Sequence, residues 1–350
     1  MNRVRRIAVH VVGVVAGAAP LVAVGWWLDA TRERTRLGAM ALQGEPALYV
    51  LVAWGAYALF LLRRPALATG LLVGAAFVAL VLRTPLVAEL PGPPPPGSQT
   101  VQDCARRLPT FAAPGAASAR VRVLQWTLDG AVDPAALIAL SGAAQADLTI
   151  VHGPLGQGLG QAYIDALGGD AMVRPSRDGG ADGRLVHTRG VFHACGNASE
   201  GSEAVEGPYG TTLLFVGVPP DLSFPLLVGR LPAPDDARAD WPRSMRDARE
   251  RLASLAEVLA VPSTLAVADA HATWGYRGLD SALLGAGLVP VAVAPSGPRR
   301  VLGAPFPPLH PWDRIWTGPA WRAVASQRLP TSAATPRAPI LTTLEVRASE

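Results

Sequence analysis

The run Ile7–Leu28 holds 22 residues with no charged side chain apart from His10, which can ionise. A helix of that length crosses a hydrocarbon layer of about 30 Å. No other feature constrains the chain as strongly, because everything after it starts from a bilayer. Arg3, Arg5 and Arg6 precede the run, and Trp26-Trp27 ends it as an interfacial aromatic pair. A signal peptide would have a shorter apolar core and a small-residue cleavage site. Two further apolar stretches follow, Pro46–Leu62 and Pro65–Leu82, of about 17 and 18 residues, at the short end of what spans a bilayer. Arg63-Arg64 joins them as a tight basic turn, so they read as a helical hairpin. Basic residues collect on the cytoplasmic side, which puts the N-terminus and this turn inside. Arg32, Arg34 and Arg36, in the loop Asp29–Glu45, then fall outside and weaken the rule. The expectation is three transmembrane helices in a multi-pass protein of the cell membrane, with the C-terminal domain extracytoplasmic and the lipid bilayer as a partner.

Half of the residues are hydrophobic and the mean hydropathy is +0.26, high for a purely soluble chain, and the excess sits in this front part. The chain has no Lys, so all 31 basic residues are Arg. With abundant Ala, Gly and Pro, that uniformity reflects a bacterial-looking coding bias and not phosphate recognition. The net charge of +4 divides unevenly. Residues 1–97 carry nine Arg against four acidic residues, and the remainder carries 22 against 23. A nearly neutral large domain lacks the electrostatic footprint that a polyanion demands, so nucleic acid is not an expected partner.

Pro91–Gly97, PGPPPPG, is a stiff polyproline spacer. It divides the chain into an anchor (1–90), a Pro-rich linker (91–99) and a domain (100–350). Cys104 and Cys195 both lie in the domain. An oxidising compartment would allow one disulfide, and two buried thiols fit equally well.

Within the domain, RVRVLQW (Arg120–Trp126) alternates as a strand, and Asp133 followed by Pro134 starts a helix over Asp133–Ala146. Asp147–His152 reads as a strand, Gly160–Leu167 as a short helix, and Arg184–Thr188 and Thr211–Val218 as strands. A long amphipathic helix spans Arg243–Leu259. Leu265–Ala268 is a small, buried strand that breaks into Asp269-Ala270-His271-Ala272-Thr273, then into a short amphipathic helix with Leu279, Leu283 and Leu284 on one face, stopped by Gly285 and Gly287. Val289–Ala294, Ile315–Thr317 and Ile340–Val346 complete the strands, and Asp178–Gly207 is a Gly- and acid-rich loop. Strands alternating with helices, then strands in succession, predict an α/β fold of two packed sheets flanked by helices. A carboxylate at the end of a buried strand is a common place for chemistry in such folds.

Several of these segments together resemble motifs of the endonuclease/exonuclease/phosphatase superfamily, a four-layer α/β/β/α sandwich of two mixed sheets. ADLTIVHG resembles the family strand that ends in Gln-Glu. The Arg-rich segment from Arg243 resembles the helix that precedes the family's Gly-Asp-Phe-Asn motif. ADAHAT with GLDSALLGAGL resembles Gly-Asp-Phe-Asn-Ala-Thr and its trailing helix, PWDRIW resembles the strand Ile-Asp-His-Ile, and TPRAPI sits where Ser-Asp-His-Arg-Pro would be. The resemblance covers residues 119–346. With the anchor, it is similar in particular to the bacterial branch with three membrane spans that includes the teicoplanin-resistance-associated VanJ-type proteins.

That resemblance implies hydrolysis of phosphate esters with a divalent cation held by carboxylates and a His–Asp pair that activates water. Residue by residue, the chain departs from it. The first-strand Asn is Thr127, the metal-binding Glu is Gly153, and the mid-domain His falls at Val218 or Pro219. The Asn of the central motif is His271, and the terminal Asp-His is Pro336-Arg337. Only Asp269 and Asp313 match acidic positions. The leading expectation is therefore a pseudoenzyme of the cell envelope: a hydrolase-like domain with a degenerate site and vestigial Asp269, Asp313 and His271. It would take no metal or other cofactor and would act as a binding or assembly module for an unidentified envelope ligand or protein. Were Arg337 to reach Asp269, a guanidinium would stand in the cation's place. The alternative is an active phosphoesterase for a lipid or envelope phosphate ester, using Mg²⁺ or a transition metal held by Asp269, His271 and His152, with Asp313 and His310 nearby in motif order. Strand alternation weighs against it, because His152 and Gly153 point to opposite faces. There is no Gly-x-Ser-x-Gly elbow for serine catalysis, and Gly156–Gly160 lacks the Lys and spacing of a phosphate loop. Trp241, Trp274, Trp312, Trp316 and Trp321 read as core or rim packing, with Trp274, beside the central motif, the one candidate to line a ligand cleft.

Overall fold

The computed structural model describes residues 3–31, 45–83, 103, 119–128, 130, 132–174, 183–193, 212–219, 222–231, 241–259, 261–269, 280, 283–296, 300–301, 304–305, 313–330 and 337–346. They fall into two compact units, one of helices at the N-terminus and one of sheets and helices.

The first unit contains α1 (Arg3–Thr31), α2 (Glu45–Leu61) and α3 (Pro65–Arg83). Among the described residues, only α1 is long and apolar enough to cross a membrane: Val4–Leu28 covers 25 residues at a mean hydropathy of 2.3. The apolar parts of the other two, Leu48–Leu61 and Pro65–Val81, are shorter, clipped by Glu45, Arg63-Arg64 and Arg83. The expected three spans thus reduce to one helix of spanning length and a hairpin of two shorter apolar helices. Helices α1 and α3 approach closely through glycines. A side chain at Gly13 would meet Ala66 Cβ at 2.8 Å, one at Gly25 would meet Val78 at 2.9 Å, and one at Gly74 would meet Leu21 Cβ at 2.8 Å. Leu21, Leu28, Val52 and Val78 form the small core of this unit, while Leu51, Trp54 and Phe60 of α2 and Leu72 and Leu80 of α3 stay exposed.

The second unit is a sandwich. One sheet has the order β13-β14-β1-β2-β4-β3 and the other β5-β6-β7-β8-β12-β9. In the first sheet these strands are β1 (Arg120–Thr127), β2 (Leu148–Gly153), β3 (Asp170–Arg174), β4 (Gly183–Thr188), β13 (Trp321–Arg328) and β14 (Ile340–Val346). In the second they are β5 (Val191–Phe192), β6 (Thr212–Val218), β7 (Leu222–Arg230), β8 (Leu265–Asp269), β9 (Val289–Pro290) and β12 (Asp313–Thr317). A separate two-stranded ribbon pairs β10 (Arg300–Val301) with β11 (Ala304–Pro305). The β1–β2 and β7–β8 pairs are parallel and the other pairs antiparallel, so both sheets are mixed, as expected.

Alternation along the strands builds the layers. Val121 and Val123 of β1, Ile150 of β2, Leu226 and Val228 of β7 and Val267 of β8 point inward and form the core between the sheets. Trp126, Val151 and Leu185 point out of the first sheet and are covered by α4 (Pro134–Ala143) and α5 (Leu159–Leu167) through Leu137, Leu159 and Tyr163. On the outer side of the second sheet lies α6 (Trp241–Val258), whose buried Leu252 fits against Gly229 of β7. The start of α4 follows its sequence signal: Asp133 is the N-cap and accepts from the Ala135 amide at 3.0 Å.

Three strands carry no clear signal in sequence. β7 contains Pro225 in mid-strand and β3 is a polar-apolar mixture. β13 is an edge strand with only Trp321 buried, so nothing selects alternation there. The strand expected over Val289–Ala294 survives only as Val289–Pro290, because just two of its residues pair with β12. In the helical turn after the central motif, Leu283 is buried and Leu284 exposed, so the two do not share an apolar face. The stop at Gly287 is real, with φ 81°.

Candidate functional site

The C-terminal ends of β1, β2, β7 and β8 meet between the sheets. Register sets Thr127, His152 and Arg184 side by side on the first sheet. On the second it sets Arg230, Asp269 and Asp313 side by side. Each residue continues an inward-facing apolar series, for example Leu148, Ile150, His152 on β2 and Leu265, Val267, Asp269 on β8. The two rows touch. Thr127 Oγ1 donates to Asp313 Oδ1 at 2.7 Å, and Arg184 donates to the Thr212 hydroxyl of β6. Just beneath, Gln125 Nε2 donates to the Ala268 carbonyl at 3.1 Å.

Arg337 closes this end. Its Nη1 donates to Asp269 Oδ1 at 2.7 Å, and Arg230 Nε lies 3.5 Å from Asp269 Oδ2. Each carboxylate oxygen therefore has its own guanidinium. The backbone holds Arg337 in place, since its carbonyl accepts from Trp126 Nε1 at 3.3 Å and the next amide, Ala338, donates to Ser296 O at 2.9 Å. The cluster is sealed: Asp269 and His152 are 0% exposed, Asp313 1% and Arg337 2%.

Asp313 sits directly opposite Asp269 in the β8–β12 ladder. Burial pushes its carboxyl up to about 6, and the neighbouring Asp269 carboxylate adds to the rise; Arg337, Thr127 and Ser296 oppose it. The Ser296 hydroxyl also accepts from the Asp313 amide at 3.2 Å. Asp313 Oδ2 has no hydrogen-bond partner among the described residues, which suits an oxygen that holds a proton readily.

The resemblance places the metal-binding Glu position at Gly153, and the structure gives that position no access to the cluster. A side chain there would meet Leu128 Cβ at 2.6 Å, on a backbone with φ +144°. The inward residue of β2 is His152, on the face opposite to Gly153, as alternation requires. Val218 is a buried core residue of β6. The described residues gather no group of three His, Cys, Asp or Glu side chains placed to hold a metal ion. A dication competing for Asp269 would face two guanidiniums already on the carboxylate, so this donor set does not fit the cation that the resemblance implies.

Of the sequence-derived site residues, Asp269, Asp313, His152, Thr127 and Arg337 are brought together. His271, His310, Pro336, Trp274 and both cysteines lie outside the described residues, as does the polyproline linker. Sequence reasoning missed Arg184, Arg230 and Ser296. The one available signal was an apolar run, LLVG, ending in Arg230. Outside the cluster, Asp280 accepts from Arg314 Nη1 at 2.8 Å and from Trp316 Nε1 at 3.0 Å, and Trp321 packs edge-on to Phe224 with ring centroids 5.1 Å apart. Trp316 and Trp321 are therefore core residues.

No protein-family model and no curated protein matches the chain. Among solved structures it is similar to an endonuclease/exonuclease/phosphatase protein from Beutenbergia cavernae, at 14% identity and a TM-score of 0.49, over 65% of this chain and 72% of that one. It is similar to an endonuclease/exonuclease/phosphatase family protein from Bacteroides thetaiotaomicron, at 12% identity and a TM-score of 0.48, over 66% and 100%. A third is the 3′ phosphatase NExo from Neisseria bound to a product DNA hairpin, at 10% identity and a TM-score of 0.49, over 63% and 98%.

Proposed function

We propose that the chain is a membrane-anchored, extracytoplasmic domain of the endonuclease/exonuclease/phosphatase kind whose site holds an arginine instead of a metal ion, and that it serves as a binding or assembly module. The observation that carries this reading is the buried Arg337–Asp269 pair at 2.7 Å. Hydrolysis of a phosphate ester needs a cation or a water-activating base open to substrate. Here the carboxylate that would grip the cation is neutralised by Arg337 and Arg230 and shut away from water. With the terminal Asp-His replaced by Pro336-Arg337, neither requirement has an evident supplier. The ligand or partner would come from the envelope, lipid or protein.

The anchor reading rests on α1 and on the outward apolar side chains of the hairpin. Val11, Val12 and Val15 of α1 and Leu51, Trp54 and Phe60 of α2 are exposed, which water would penalise and lipid would not. Close glycine contacts between α1 and α3 are the packing that lipid-embedded helices favour. We therefore keep all three helices in the membrane, the hairpin as short spans, and the basic residues Arg3, Arg5, Arg6, Arg63 and Arg64 put the N-terminus inside.

The test is an assay of the detergent-solubilised full chain on phosphomonoester and phosphodiester substrates with Mg²⁺ or Mn²⁺. The expected result is no turnover above buffer and no stoichiometric bound metal. Turnover that Asp269→Ala abolishes would overturn this reading in favour of a rewired phosphoesterase.

A further inference from the structure

We propose that the start of α1 and the turn between α2 and α3 together bind the headgroup of an anionic phospholipid. This rests on the membrane-anchor reading and adds a specific ligand to it. The contacts of α1 with α3 share one offset: Gly13 meets Ala66, Gly17 meets Gly70, Leu21 meets Gly74 and Gly25 meets Val78. Four contacts at the same spacing mean the helices run parallel, with both N-termini at one end. Carried on from Gly13, the offset sets His10 level with Arg63. Arg6 lies four residues further out, about 6 Å at a rise of about 1.5 Å per residue.

The turn is fixed by the backbone: Arg63 N donates to Phe60 O at 3.0 Å and Arg64 N to Leu59 O at 2.8 Å, with Arg63 at φ 58°. Along α1, Arg6, His10, Gly13 and Gly17 follow steps of four, three and four, so they share one stripe. Gly13 and Gly17 on that stripe face α3. Its outer continuation therefore carries Arg6 and His10 on the same side, at the level where α3 has ended and the turn begins. Arg5, Arg6, His10, Arg63 and Arg64 are all exposed, and no Asp or Glu occurs in residues 1–28 or 46–88 to neutralise them. Four guanidiniums at one end of a helix pair, beside a low-dielectric slab, repel one another and need an anion.

Their surroundings choose which anion. Val4 and Ile7 of α1 and Phe60, Leu61 and Leu62 around the turn are exposed and apolar, interleaved with the cations. A free phosphate would leave these side chains unused. A phospholipid satisfies both sets, with its phosphate on the arginines and its acyl chains along the helices.

The experiment uses the full chain. It is first floated with vesicles of phosphatidylcholine, alone or mixed with phosphatidylglycerol. Lipid retained after detergent extraction is then counted by native mass spectrometry. The wild type should float with both vesicles and retain phosphatidylglycerol in preference to phosphatidylcholine. The pair Arg63→Gln/Arg64→Gln should still float with both but hold phosphatidylglycerol about thirty-fold more weakly, at the usual strength of an interfacial Arg. Arg5→Gln/Arg6→Gln should do the same from the α1 side. Equal retention of the two lipids, or unchanged preference in both variants, overturns the headgroup site and leaves the anchor standing. Inorganic phosphate displacing phosphatidylglycerol completely would overturn it too, since the acyl chains would then add nothing. Failure to float with either vesicle overturns the anchor reading, and the site falls with it.

Discussion

Replacing Arg337 with methionine keeps much of the side-chain volume and removes the charge that faces Asp269. The carboxylate is fully buried and its nearest guanidinium nitrogen is 2.7 Å away. Removing one partner of such a pair costs about 3–5 kcal/mol, because the other charge stays desolvated without compensation. Arg230 remains at 3.5 Å and is itself largely buried, which points to the lower end, about 3 kcal/mol. The loss also removes the cation that restrains the rise of the Asp313 carboxyl, so two facing carboxyls would share protons to higher pH. For a domain of this size each kcal/mol moves the midpoint by about 2–4 °C, so Arg337→Met should lower Tm by about 6–12 °C. Combining it with Asp269→Asn removes both charges and should recover part of the loss, since a buried pair contributes little net stability against neutral replacements while Arg230 gives up its contact with the Asp269 carboxylate. The assay is thermal unfolding of the detergent-solubilised chain, run as a double-mutant cycle at neutral pH. A single-variant shift under about 2 °C, or losses that simply add in the double variant, would refute the argument that this pair compensates a buried charge.

Three other outcomes follow from the same geometry. Asp313 binds its proton more tightly folded than unfolded, so its contribution is complete below the ordinary carboxylate range and is lost as pH rises through about 6. That is of order 3 kcal/mol, and Asp313→Asn should flatten the fall in Tm between pH 4 and 7; an unchanged profile would contradict it. Gly153→Glu, which restores the acidic residue at the aligned position, should not create divalent-cation binding by calorimetry. It should destabilise by about 1–3 kcal/mol, from positive φ and the clash with Leu128. Asp280→Ala deprives Arg314 and Trp316 of an acceptor and should cost about 2 kcal/mol, read by denaturant or thermal unfolding.

Part of the site is legible in the sequence. Asp269 stood out as the charged end of a small apolar strand, and Asp313 and Arg337 through their places in the motif order. Alternation set His152 and Gly153 on opposite faces, but the resemblance turned Gly153 toward the site, and only the structure shows that His152 is the one facing inward. Arg184 and Arg230 were not legible, because a lone Arg at either end of an apolar run reads equally well as a strand end in solvent. Only the stacking of two sheets buries them.

The sequence by itself determined the apolar front, the helix that Asp133 and Pro134 start, the long amphipathic α6 and most of the inner strands. Those follow from hydrophobic periodicity and local capping, which act over a few residues. It could not determine β7 through Pro225, the exposed edge β13, or the strand order, which depend on partners far away in the chain. The tertiary structure alone decided that Arg337 meets Asp269 across 68 positions and that Gly153 faces away from the cluster. Both depend on where strand ends from two different sheets come to lie, a matter of register and packing that no local pattern encodes.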